Sequence, residues 1–151
     1  MILCDTEKTD PNLLASAENI FRSMNMNIRY MDSLSHDKHI AYVSHLSHIS
    51  SYMLGKTVME KEKDQSAIFD MAGSGFSSTV RLAKSSPHMW IPIFKQNKEN
   101  ISETLSQYIN NLNQFKQLLD ADKFDILHKQ ILEINQIRQI LEGITNTKNN
   151  K

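Results

Sequence analysis

Residues that interrupt regular secondary structure are scarce in this chain. Its 151 residues include only 4 glycines and 3 prolines, so we expect long, uninterrupted elements. From Ser33 onward the apolar residues recur at helical spacing. The length and the 40% content of hydrophobic residues suffice for about one packed domain. The sequence therefore predicts a mainly α fold.

The first thirty or so residues depart from this helical pattern. Residues 1–4 read as a short strand, and Asp10 with Pro11 is typical of a helix start, with the aspartate as N-cap. A second strand is predicted over residues 28–31. A strand–helix–strand unit normally belongs to a larger parallel sheet, because two strands alone are marginal. We therefore predict that residues 1–32 are an incomplete part of a larger fold. A small self-contained α+β cap is the alternative.

The rest of the chain is predicted to form a helical domain over residues 33–145, followed by a polar tail at 146–151. Its predicted parts are a helix from about 36 to 59 capped by Ser35, a Gly-rich turn at 72–76, a helix starting at Pro87, and a hairpin. The hairpin has arms at 101–119 and 124–141, a turn at 120–122 and a C-terminal cap at Gly143. The length of its apolar stripes predicts that part of them contacts a second chain.

Charge and composition exclude several classes of protein. Seventeen Lys and Arg residues balance seventeen Asp and Glu residues, so the basic excess of a duplex nucleic-acid binder is missing. No apolar run approaches the roughly 20 residues that span a bilayer. The single Cys4 excludes a disulfide framework and suits a reducing compartment, which predicts a cytoplasmic protein.

A histidine-rich segment is the first candidate site. On a helical wheel four of its polar residues share one stripe, which suits the wall of a polar cavity or, equally, a solvated face. These residues are Asp37, Ser44, His48 and Ser51. Zinc is not predicted here, because the wheel places His36 and His39 roughly opposite His45 and His48.

The second candidate is the segment from Ala72 to Arg81. Glycines before a helix capped by Ser77–Thr79 would let backbone N–H groups converge on an anion. Arg81, one turn inside that helix, would add a bidentate clamp for a carboxylate or phosphate. By itself this pattern favours a structural turn with a surface arginine. Trp90, the single tryptophan, is typical of a core or interface residue.

These motifs together resemble prephenate dehydrogenases. Residues 36–48, HDKHIAYVSHLSH, resemble the family's HD…SHLPH signature, and residues 73–90, GSGFSSTVRLAKSSPHMW, resemble its Gly-rich, Arg and Met-Trp signature. Residues 97–100, NKEN, continue the second signature, and residues 6–10, TEKTD, resemble a loop of the family's NAD domain. The matches follow the family's order from residue 2 to about residue 141.

The resemblance implies an oxidoreductase that decarboxylates prephenate to 4-hydroxyphenylpyruvate with NAD, in the biosynthesis of the aromatic amino acid tyrosine. It implies a helical domain of the 6-phosphogluconate-dehydrogenase-like type that forms a homodimer, preceded by a strand–helix–strand remnant of a Rossmann domain. By motif position, Arg81 would bind the ring carboxylate of a prephenate-type dicarboxylate. His48 and Ser44 would line the substrate site, Trp90 would lie near the substrate side chain, and Gly75 would belong to the same site.

Departures from the family pattern limit what the chain is expected to do. Ser47, Ser74 and Ser78 replace the usual proline, glycine and acidic residue of the signatures. The sequence contains no Gly-x-Gly-x-x-Gly, so we expect no NAD and no catalytic residue on this chain. We therefore predict a C-terminal portion of the enzyme that is inactive alone. The alternative is a non-catalytic helical homodimerization module, and prephenate or arogenate preference stays open.

Overall fold

A computed structural model describes the backbone of residues 1–65 and 67–149 and the side chains of residues 1–65 and 67–143. The chain divides into two compact units, Met1–Leu105 and Ser106–Lys151. The predicted mainly α fold with a strand–helix–strand start is confirmed. The limits of the domains at 1–32 and 33–145 stay a prediction.

The chain opens with a parallel strand–helix–strand unit. Strand β1 (Ile2–Cys4) pairs in parallel with β2 (Arg29–Met31), and helix α1 (Pro11–Ser23) connects them. The carboxylate of Asp10 accepts hydrogen bonds from the first free N–H groups of α1, as the sequence predicts. The sheet has two strands in the described chain, and its residues are exposed or only partly buried.

A long helical segment with one irregular turn follows. Helix α2 (Ser33–Ile40) leads through a π-helical turn at Ala41–His45 into α3 (Leu46–Asp64). The predicted start near residue 36 is wrong, because the carboxylate of Asp32, rather than Ser35, caps this helix. The helix also continues beyond the predicted end at residue 59.

The Gly-rich segment folds differently from the prediction. Helix α4 (Ser74–Thr79) already contains Ser77–Thr79, so these residues do not cap a following helix. The hydroxyls of Ser78 and Thr79 donate instead to the carbonyl of Gly75 within α4. A short 3-10 turn (Arg81–Lys84) follows α4, and α5 (Pro87–Gln96) begins at the proline as predicted.

A helical hairpin forms the C-terminal part of the chain. Helix α6 (Lys98–Asp120) and the turn after it agree with the prediction, but the second arm is divided into α7 (Phe124–Ile134) and α8 (Ile137–Asn149). The N–H of Gln136 bonds to the carbonyl of Glu133, three residues back, which tightens the backbone at the break. Gly143 does not end the arm, because α8 continues to Asn149. The predicted polar tail thus lies partly in α8, and its last two residues, 150 and 151, lie outside the described residues.

Few of the described side chains are buried, and many of those are polar. The buried apolar residues are Ala41, Trp90, Ile101 and Leu127, and the buried polar residues are His45, Ser51, Asn97 and Thr104. Buried polar groups are costly unless they are hydrogen-bonded. The hydrogen-bond partners of these four residues therefore indicate where a functional site is to be sought. Within the residues that the structure describes, no helix has the length and apolar character to cross a bilayer.

Candidate functional site

The π-helical turn at Ala41–His45 rearranges the histidine-rich segment. A π turn holds an extra residue compared with an α turn, and such turns are frequent at functional sites. The turn shifts the register of the residues that follow it, so His45 lies on the same groove as His36 and Asp37. The predicted placement of His36 opposite His45 is therefore wrong, because the wheel assumed an unbroken α-helix.

This groove, about 430 Å³ in volume, runs between the α2–π segment and α5. One wall is formed by His36, Asp37, Ile40, Ser44 and His45, and the other by Trp90, Ile93, Gln96 and Asn97. The Nδ1 atom of His36 lies 3.0 Å from Oδ1 of Asp37. Of the predicted polar stripe, Asp37 and Ser44 line this groove, whereas His48 and Ser51 do not, so the polar cavity wall stays a prediction.

Trp90 is the centre of an aromatic cluster. Its ring stacks on that of His48, with centroids 3.5 Å apart, and meets the ring of His45 edge-on at 6.0 Å. Phe94 contacts it one turn along α5. Trp90 is only 6% exposed, yet its indole Nε1 has no hydrogen-bond partner in the described chain. A buried donor without an acceptor costs free energy, so an acceptor that reached the indole N–H would remove this cost.

The two imidazoles beside Trp90 differ in their hydrogen bonds. The Nδ1 atom of His48 lies 3.0 Å from the backbone carbonyl of Ser44. Because a carbonyl only accepts, His48 carries a proton on Nδ1 and leaves Nε2 for another partner. Burial lowers the pKa of His45 below its ordinary value, and the nearby Asp37 carboxylate opposes that shift.

Arg81 lies outside the groove, on a segment that is bound to α3. The hydroxyl of Ser51 donates to the carbonyl of Thr79 at 3.1 Å and accepts from the N–H of Ala83 at 3.0 Å. This buried serine therefore binds the backbone two residues before and two residues after Arg81. Arg81 itself is exposed, in its own 3-10 turn after α4. It therefore does not lie one turn inside a helix as the sequence predicted.

Gly75 is exposed in the first turn of α4. A Cβ added there would meet no atom within 4 Å, and none of the described glycines has a positive φ. The glycine-specific backbone expected of an anion-binding loop is therefore absent from this segment in the described chain. The carbonyl of Gly75 is already bonded by two side chains of α4.

The structure brings three of the five predicted site residues together. Ser44, His48 and Trp90 share one cluster, whereas Arg81 and Gly75 lie on the neighbouring α4 and 3-10 segment. Sequence reasoning missed His45 and Asn97 as site-forming residues, and it placed Ser51 in the polar stripe without predicting its bonds to Thr79 and Ala83. His45 and Asn97 fall within the quoted motifs, but only the tertiary fold shows that they meet.

Comparisons with known proteins give one consistent result. The family described as "Prephenate dehydrogenase, dimerization domain" matches residues 32–133. The prephenate dehydrogenase of Bacillus subtilis (strain 168) is 25% identical over 128 residues, covering 85% of this chain and 34% of that protein. The cyclohexadienyl dehydrogenase of Zymomonas mobilis is 24% identical over 143 residues, covering 94% of this chain and 49% of that protein.

A solved structure agrees with these matches. It is the prephenate dehydrogenase of A. aeolicus in complex with hydroxyphenyl propionate and NAD+, with a TM-score of 0.83 and 30% identity. The match covers 93% of this chain and 49% of that one. The chain thus spans between a third and a half of the length of these relatives.

Proposed function

Because the chain belongs to the prephenate dehydrogenase family, with residues 32–133 matching its dimerization domain, we propose that it is the substrate-binding and dimerizing part of such an enzyme. The resemblance seen in the sequence motifs is confirmed by these matches. The proposed reaction is the NAD-dependent oxidative decarboxylation of prephenate to 4-hydroxyphenylpyruvate. The cytoplasmic location stays a prediction.

The proposed ligand is a prephenate-type dicarboxylate. The observation that carries this proposal is the arrangement around α3. The imidazole of His48 stacks on the indole of Trp90 and uses Nδ1, not Nε2, for its hydrogen bond to Ser44. Ser51, on the same helix, makes hydrogen bonds to the backbone of Thr79 and Ala83 on either side of Arg81. Imidazole, indole N–H and guanidinium are donors that suit carboxylates. In this proposal Arg81 binds the ring carboxylate, and His48 with Ser44 lines the site. The hydroxyphenyl propionate bound by the A. aeolicus protein, an aromatic carboxylate, supports the same ligand class.

The residues of the strand–helix–strand unit do not fit NAD. A pyrophosphate is normally held at a glycine-rich turn by free N–H groups of a helix N-terminus. Here the turn after β1 contains no glycine, and the carboxylate of Asp10 already accepts from the N–H groups of Asn12 and Leu13. We therefore assign no NAD site to this unit and derive no catalytic step on this chain.

A homodimer is the second part of the proposal. The hairpin exposes large apolar side chains along all three of its helices, and a second copy of the chain would cover them. They include Ile109, Leu112, Phe115 and Leu119 of α6, Phe124, Ile131, Leu132 and Ile134 of α7, and Ile137, Ile140 and Leu141 of α8. The dimerization-domain match supports this reading.

Thermal unfolding with ligand tests the substrate site. Millimolar prephenate, or 4-hydroxyphenylpyruvate, is expected to raise the melting temperature, since a ligand that binds only the folded state stabilises it. Arg81→Ala is expected to abolish the rise. Lys84→Ala is the matched control, because it removes one exposed cation from the same 3-10 turn. No rise for the wild type, or an equal loss in both variants, would favour the non-catalytic dimerization module.

A further inference from the structure

Asn97 is held in one orientation at the junction of α5 and α6. It is 7% exposed, and its Nδ2 donates to the backbone carbonyl of Asp37 at 2.7 Å. Its Oδ1 accepts from Nδ2 of Asn100, also at 2.7 Å. A carbonyl accepts and an amide N–H donates, so these two contacts determine which end of the Asn97 amide faces which neighbour.

The second hydrogen of the Asn97 amide reaches the imidazole of His45. The Nδ2 atom of Asn97 lies 3.3 Å from Nδ1 of His45. Since Nδ2 is a donor, Nδ1 is the acceptor, and the neutral imidazole carries its proton on Nε2. The titratable groups that act on His45 are the carboxylate of Asp37 and the imidazoles of His36 and His48. A second proton on Nδ1 would point at an amide donor, so the contact disfavours the charged imidazole.

The position of the Trp90 indole depends on the hydrogen bond between Asn97 and His45, because the ring of His45 packs against the indole. The edge-on ring of His45 and the stacked ring of His48 hold the indole from two directions. The three residues His45, Asn97 and Trp90 are all buried. A change in the charge of His45 would therefore change the electrostatic environment of the indole directly. The Nε1 atom of that indole has no hydrogen-bond partner in the described chain.

We propose that Asn97 is a positioning residue for Trp90. By donating to Nδ1 of His45, Asn97 keeps that imidazole neutral with its proton on Nε2, which holds the indole between two imidazoles and leaves the indole N–H free for an acceptor. The identity of that acceptor as a prephenate-type carboxylate rests on the proposed function. The positioning itself does not.

The fluorescence of Trp90 tests the positioning, because the chain contains one tryptophan and a protonated imidazole quenches indole emission more than a neutral one. The emission is titrated between about pH 4 and pH 8, the range in which histidine changes charge, with His48→Gln present in every sample to leave His45 as the adjacent imidazole. Asn97→Asp is expected to raise the midpoint by about one pH unit or more, since a carboxylate favours the charged imidazole.

Gln96→Glu is the matched control. It adds the same charge to the wall of the groove, but no hydrogen bond joins it to His45, so its midpoint is expected to rise far less. An unchanged midpoint in Asn97→Asp, or equal rises in the two variants, would overturn the proposal. If the titrations behave as expected while prephenate fails to stabilise the wild type, the positioning stands and the proposed function fails.

Nitrogen NMR of the histidines in the wild type covers the case in which Asn97→Asp does not fold. At neutral pH the nitrogen shifts of His45 are expected to show a protonated Nε2 and an unprotonated Nδ1. A proton on Nδ1 of His45 would contradict the hydrogen bond from Asn97 and end the proposal.

Discussion

The two compact units of the chain differ in what they bury. The buried polar side chains lie in Met1–Leu105, among them His45, Ser51 and Asn97. Both units expose large apolar side chains, and in Ser106–Lys151 most of the described ones are exposed. Buried polar groups persist only where partners satisfy them, and wide apolar exposure is typical of a surface that meets another chain. This difference supports the proposal that the first unit holds the substrate site and the second the dimer interface.

The largest expected effect is on the proposed dimer interface of the second unit. Phe115→Asp places a charge among the exposed apolar residues of α6. A dimer that buries this ring loses roughly 3 kcal/mol or more, which weakens the dimer Kd at least about 100-fold. Light scattering over a dilution series measures the change, starting from a wild type that is expected to be dimeric at micromolar concentration.

Asn110→Asp is the control for this variant, because helical periodicity places residue 110 on the face of α6 away from Leu112 and Phe115. It adds the same charge and is expected to leave the dimer intact. A monomeric wild type, or equal dissociation in both variants, would show that the hairpin is not the interface.

A smaller effect concerns the buried polar contacts of the first unit. Ser51→Ala removes the donor to the carbonyl of Thr79 and one of the two acceptors of the Ala83 N–H, which also bonds to the carbonyl of Val80. The expected cost is about 1–3 kcal/mol. Calorimetry should show a melting temperature lower by several degrees. The ligand-induced rise should shrink as well, because the turn that carries Arg81 loses its attachment to α3.

Ser50→Ala is the matched control for this effect. The hydroxyl of Ser50 bonds only to the carbonyl of Leu46 in its own helix, so its loss is expected to change stability by about 0.5 kcal/mol or less. Equal losses in the two variants would mean that Ser51 does not attach the Arg81 turn to α3.

Much of the fold follows from local sequence signals. Asp10 with Pro11 marks the start of α1, Pro87 marks the start of α5, and the apolar periodicity gives the hairpin. These signals act within a few residues, so a single sequence carries them. The break in the second arm at Asn135 and Gln136 has no glycine or proline to mark it.

The site was less predictable, because it depends on contacts between distant residues. The π turn at Ala41–His45 changes which side chains share a face of the helix. No local sequence motif predicts such a turn. The Asn97 amide meets the carbonyl of Asp37 and the ring of His45 across 60 and 52 residues of sequence. His45 and Asn97 fall within the family motifs, but the motifs do not show that the two side chains meet. Only the fold shows that contact.

The smallest expected effect concerns a polar contact of the first unit that is only partly buried. The carboxylate of Asp5 accepts from the N–H and hydroxyl of Ser33 and from Lys8. These bonds, led by the backbone N–H of Ser33, lower its pKa from 3.8 to about 2. A carboxyl with a depressed pKa stabilises the folded state above its unfolded pKa, and that stabilisation is lost as the pH falls through the folded value. The melting temperature of the wild type should therefore drop between about pH 4 and pH 2.

Asp5→Asn isolates this contribution. The amide oxygen still accepts one bond but carries no charge, so the variant should melt lower than the wild type at neutral pH and lose less on acidification. Asp70→Asn removes an exposed carboxylate of the same unit. It serves as the control that shows how the loss of one negative charge alone changes the melting temperature. If Asp5→Asn and Asp70→Asn follow the same melting profile, the bonds of Asp5 to Ser33 contribute nothing beyond its charge. The polar contacts that matter in the first unit would then be the buried ones around Ser51 and Asn97.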